Sequence, residues 1–114
     1  MYTGLLSLAR LDGEGGLRAS VEWAHGGIFD LVRVGSRLVV SSMTSTPSPT
    51  IGTLDWWSLH TVDAETLGDV RRLPFEEACV ALSWGELNRV QALLAVGSVL
   101  WVGTGSGLLR ITLD

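Results

Sequence analysis

Ile28-Phe29-Asp30-Leu31-Val32-Arg33-Val34-Gly35-Ser36-Arg37-Leu38-Val39-Val40-Ser41-Ser42 returns later as Val90-Gln91-Ala92-Leu93-Leu94-Ala95-Val96-Gly97-Ser98-Val99-Leu100-Trp101-Val102-Gly103-Thr104. Gly97 follows Gly35 by 62 residues, and Leu31/Leu93, Val34/Val96, Ser36/Ser98, Leu38/Leu100 and Val40/Val102 match at that offset without a gap. An internal repeat names an architecture before it names a chemistry. Each copy reads as two apolar strands joined across a Gly-Ser turn. Both faces of Ile28–Val34 and Val90–Val96 carry apolar groups, so these strands need cover on both sides, as in stacked sheets.

The rest of the chain continues in short strands broken by turn signals, which predicts an all-β fold of antiparallel meanders. Thr3–Leu11 and Leu17–Trp23 flank the turn Asp12-Gly13-Glu14-Gly15-Gly16. Trp57–Val62 and Val70–Phe75 flank Asp63 to Asp69, and Leu108–Leu113 is a last strand. Ser41–Thr53, with Pro47 and Pro49 among Ser and Thr, reads as an exposed loop. Glu76–Asn88 fits either a helical turn or a further strand.

Composition narrows the function. The chain has 114 residues, enough for one domain with a core. Net charge is −4, and all eight basic residues are arginines, spread along the chain. That is no footprint for nucleic acid or an anionic membrane. The absence of lysine removes a phosphate-loop or Schiff-base lysine. Cys79 is the only cysteine, so an intramolecular disulfide is impossible and a reducing, cytoplasmic setting fits. The first residues lack the basic and apolar regions of a signal peptide. Val90 to Leu109 is uncharged over a bilayer-like length, but its glycine turns and the charged first copy of the repeat favour paired strands over a membrane helix.

Val99-Leu100-Trp101-Val102-Gly103-Thr104-Gly105-Ser106-Gly107-Leu108-Leu109-Arg110-Ile111 resembles a blade of a WD40-like β-propeller. The resemblance implies one continuous propeller segment over residues 1–114. Residues 3–27 would form the outer strands of one blade, 28–75 a full blade, and 90–114 the start of the next. The Trp-Asp and Gly-His pairs of orthodox WD40 blades are absent; Asp55-Trp56 and His25-Gly26 run in reverse order. The family is therefore a divergent one. About two blades leave open apolar faces, to be covered by blades of the same or another chain or by self-association into a homo-oligomer. A compact β-sandwich or barrel is the alternative architecture.

No residue pattern announces catalysis or a cofactor. Gly103-Thr104-Gly105-Ser106-Gly107 follows a strand, but too little chain remains for the helix of a dinucleotide site, so a hairpin turn is expected. His25, His60 and Cys79 lack metal-ligand spacing, with His25 read as a turn residue. The acidic pairs Asp12/Glu14 and Asp63/Glu65 fall in turns, where aspartate bonds its own backbone. Glu76-Glu77 reads as a solvated edge.

The aromatic residues suggest binding instead. Trp101, inside the repeat, reads as core. Trp56 and Trp57 are adjacent in a strand and point to opposite faces, one buried and one partly exposed. Trp56, Trp57, Thr50 and Asp55 are accordingly the expected contact residues. The function that follows is a non-enzymatic protein-interaction or scaffold module; an oligomeric carbohydrate-binding propeller is the alternative.

Overall fold

The computed structural model describes residues 2–4, 7–48, 52–80, 90–104 and 107–113. They form three antiparallel sheets. The first sheet orders β1 (Tyr2–Gly4), β2 (Ser7–Leu11) and β3 (Leu17–Glu22). The central sheet is a meander of β4 (Gly27–Val34), β5 (Arg37–Ser48), β6 (Gly52–Asp63) and β7 (Arg71–Val80). The third contains β8 (Val90–Val96), β9 (Val99–Thr104) and β10 (Gly107–Thr112), with β9 in the middle. The all-β expectation holds.

The sequence repeat is a repeat of backbone detail. Gly35 and Gly97 take left-handed φ values of 60° and 61°, which glycine adopts at no steric cost. Val34 pairs with Arg37 and Val96 with Val99, closing two-residue turns. The register shifts between Ile28 and Asp30, and again between Val90 and Ala92, the same positions one repeat apart. Ser36 O accepts from Ala64 N at 2.9 Å, and Ser98 O from Leu113 N at 2.7 Å. In each copy the turn carbonyl therefore holds the residue just past the third strand.

Two-residue alternation gives the central sheet two buried faces. Leu38, Val40 and Val62 face the first sheet and pack with Leu8 and Trp23. Val39, Trp57 and Leu59 face the third sheet and pack with Val90, Leu100 and Val102. The apolar character of both faces of β4 and β5 thus has its cause in a sheet sandwiched between two others, whereas β8 and β9, the second copy, lie in an outer sheet and leave Leu94 and Val96 exposed.

Three expectations need correction. Ser41–Thr53 is not an exposed loop: Ser41 and Ser42 are fully buried, and β5 and β6 run paired from Arg37↔Asp63 out to Ser48↔Gly52. β4 pairs with β5 only as far as Met43, so beyond it β5 is an edge strand on that side, where Pro47 is tolerated. Residues 49–51 lie outside the described residues. Secondly, Thr3–Leu11 is two strands, β1 and β2, folded on each other with Tyr2 opposite Arg10. Thirdly, Trp101 is not core: it is half-buried, pairs with Leu94 and Arg110, and has the Arg110 guanidinium 5.9 Å from its ring centre. Of the ambiguous Glu76–Asn88 stretch, residues 76–80 belong to β7 and residues 81–89 lie outside the described residues.

Candidate functional site

The strand β6 sends Trp56, Ser58 and His60 to one face at two-residue spacing, while Trp57 and Leu59 go to the other. The adjacent tryptophans therefore have different environments. Trp57 is buried in the core against the third sheet, with Phe29 tilted on it at 5.0 Å. Trp56 is half-buried and lines a pocket of about 180 Å³ together with His25, Thr44, Ser58, His60 and Arg72.

Each side chain reaches this pocket for a local reason. Thr44 pairs directly with Trp56 across β5 and β6. A register shift in β7 between the partners of Ser58 and His60 sets Arg72 opposite His60. His25 arrives from the link between the first and central sheets, where Gly26 takes a φ of 104° and packs so closely on the Met43 carbonyl that a Cβ would collide with it. The link can lie flat on β5 only because residue 26 is glycine. Register places Glu76 opposite Ser58 on β7.

The pocket floor is an aromatic cluster. The His25 and His60 rings stack at 4.2 Å, and Trp23 meets them edge-on at 4.9 and 5.7 Å. Trp23 is held in turn by its indole N–H, which donates to Ser42 Oγ at 2.8 Å in the buried interior. The exposed His25 is thus seated on a buried, hydrogen-bonded platform. Indole, imidazole, guanidinium and two hydroxyl groups converge on a space that suits a hydrogen-bonding group with a flat face.

Of the expected contact residues, the structure places Trp56 at the pocket and Trp57 in the core. Asp55 lies on β6, its Cα opposite Ser45 and Cys79. Thr50 lies outside the described residues. The companions of Trp56 were missed because they come from four separate stretches of chain. Only Ser58 and His60 carried a signal, their i+2 and i+4 spacing from Trp56 on a strand.

The acidic pairs serve turns, as expected of them. Asp12 Oδ1 accepts from Glu14 N at 2.9 Å and Gly16 N at 2.8 Å, and these backbone bonds hold its carboxyl below the usual carboxylate range. Asp63 Oδ1 accepts from Thr66 N at 2.9 Å and Glu65 N at 2.8 Å, with the same effect. Asp69 is lowered by its bond to Arg71 and by the nearby Arg37. Thr104 pairs with Gly107 across β9 and β10, and the residues of the expected turn between them, 105–106, lie outside the described residues. Among the described residues no three His, Cys, Asp or Glu side chains gather as metal ligands, and no helix is long and apolar enough to cross a membrane. No family model, curated protein or solved structure matches the chain.

Proposed function

We propose that this chain is a non-enzymatic interaction module, built from blades of a divergent β-propeller, whose Trp56 pocket receives a hydrogen-bonding side chain of a protein partner. The observation that carries the reading is the division of the two tryptophans. Trp57 is spent on the core, whereas Trp56 stands half-exposed among hydrogen-bonding groups on a rigid sheet. Half-exposed tryptophan fixed by a scaffold is a favourable interface anchor, because little side-chain freedom is lost on binding. The propeller part rests on the sequential four-stranded meander, its cover on both faces, and the repeated hairpin.

The test is selection of a displayed peptide library on the wild-type chain, followed by affinity measurement with Trp56→Ala. Selected peptides should lose at least about tenfold in affinity, about 1.4 kcal/mol, while the melting temperature is kept. Peptides that bind both proteins equally would remove the pocket from the account. An indole wall among hydroxyls also suits a sugar ring, so the alternative is a carbohydrate-binding protein. Retention of a glycan that depends on Trp56, without any peptide binder, would favour that reading.

A further inference from the structure

The repeated unit gains a fourth strand in the central sheet and lacks one in the third. β4–β5–β6 and β8–β9–β10 are the same three-strand meander, with the same turn and the same shift of register. Ser36 O holds Ala64 N just past β6, and Ser98 O holds Leu113 N just past β10, which aligns Thr61 with Arg110. In the central sheet β7 takes the far side of β6, with Arg71 opposite Thr61. In the third sheet β10 is the edge.

Backbone alternation identifies the groups on that edge. Leu113 N bonds toward β9, so Leu109 and Ile111 also turn their N–H and C=O groups toward β9. Leu108, Arg110 and Thr112 turn theirs outward. All three residues are exposed, and among the described residues none bonds to those outward groups. Monomers protect such edges with proline, charge or bulges. This one runs for six residues in unbroken register, without proline, and Arg110 is its one charge. The side chains beside it are short of cover too. Leu109, level with buried Val102, is 39% exposed, and Ile111 and Leu73 are only half-buried although both pack against the cluster between the sheets.

We infer that the outer edge of β10 is a docking site for an extended segment of a partner protein, which adds antiparallel as the counterpart of β7. Main-chain bonds to Leu108, Arg110 and Thr112 supply the attachment. Alternate side chains of the segment turn toward the central sheet and are apolar, to meet Leu109, Ile111 and Leu73. An acidic residue of the segment stands opposite Arg110, since opposite charges favour a cross-strand pair. The same rule disfavours a second copy of β10 as the occupant. Full antiparallel overlap of two copies sets Leu108 opposite Thr112 and Arg110 opposite Arg110, and a shift that separates the like charges shortens the ladder. This edge and the Trp56 pocket lie in different sheets, so each stands without the other.

Hydrogen exchange and peptide selection on the full chain test this together. In the free chain the amides of Leu108, Arg110 and Thr112 should exchange freely while those of Leu109 and Ile111 are protected. A displayed library of segments of about nine residues, apolar at alternate positions and random between, is selected on the chain carrying Trp56→Ala, which excludes pocket binders. Selected segments should share an acidic residue, protect the three outward amides, and lose at least about tenfold in affinity for Thr112→Pro. Proline fits there because the N–H it removes points to solvent, and unchanged circular dichroism and melting establish that the variant folds. Arg110→Glu should reverse the preference from acidic to basic segments. Protection of the outward amides in the free chain, by its own residues or by a second copy, would overturn the inference. So would a selection that yields no segment, or binders indifferent to Thr112→Pro or to Arg110→Glu.

Discussion

The two faces of the central sheet are built by different means. The face toward β8–β10 is held almost wholly by apolar packing, with Val39, Trp57 and Leu59 set against Leu100 and Val102. Of the buried hydroxyls there, Ser41 Oγ has no hydrogen-bond partner, while Thr61 Oγ1 accepts from the Arg37 guanidinium at 2.9 Å at the end of the sheet. The face toward β1–β3 adds directional bonds to its packing. Trp23 donates to Ser42, and the Tyr2 hydroxyl donates to Ala64 O at 2.8 Å. Arg10 Nε reaches Glu65 O at 3.0 Å from the same sheet. Apolar packing is tolerant of small shifts, whereas hydrogen bonds fix position. The pocket lies on the second kind of face, where His25, His60 and Trp23 are held to a single arrangement.

Substitutions can break this comparison in order of expected effect. Leu59→Ala and Leu8→Ala, one on each side of the stack and both fully buried, should each cost about 2–5 kcal/mol in urea unfolding. A much smaller loss for either would mean that its sheet is only loosely docked. Ser42→Ala should cost about 1–3 kcal/mol, since it strands the buried Trp23 indole N–H. It should also disturb the imidazole signals of His25 and His60, which rest on that ring. The neighbouring Ser41→Ala should be neutral or stabilising by up to about 1 kcal/mol, because the hydroxyl it removes is buried and unbonded. Equal losses from the two serines would erase the proposed difference between the faces.

The smallest expected effects are in the turns. The carboxyls of Asp12 and Asp63 are lowered in the fold by backbone N–H donors. A lowered folded value contributes stability that is complete above the ordinary value of 3.8 and is lost as pH falls through the lowered one. Stability should therefore decline in that acid range, and Asp63→Asn should flatten the decline in acid-unfolding curves. An unchanged acid limb in Asp63→Asn would show that its turn bonds persist without the charge.

How legible this was in the sequence depended on whether the signal was local. The hairpins around Gly35 and Gly97 were readable because turn, strand and repeat agree at every position. Asp12 and Asp63 were readable as turn formers for the same reason. The length of β5 and β6 was hidden, since Ser, Thr and Pro between 41 and 53 are loop formers by composition, and pairing along the ribbon overrides that preference. Trp101 misled because position in the repeat says that a residue faces a sheet surface, not whether another layer covers it. The pocket was only partly legible. Trp56 stood out by type, but His25 and Arg72 reach it through a glycine-dependent link and a register shift that no pattern announces.

The account turns on the different fates of two neighbouring indoles, and paired urea unfolding of Trp56→Ala and Trp57→Ala measures it most directly. Trp57→Ala should lose about 3–5 kcal/mol, as large buried aromatic truncations do, and Trp56→Ala no more than about 1 kcal/mol. Equal losses, or a larger loss at Trp56, would contradict the assignment of one indole to the core and the other to the binding pocket.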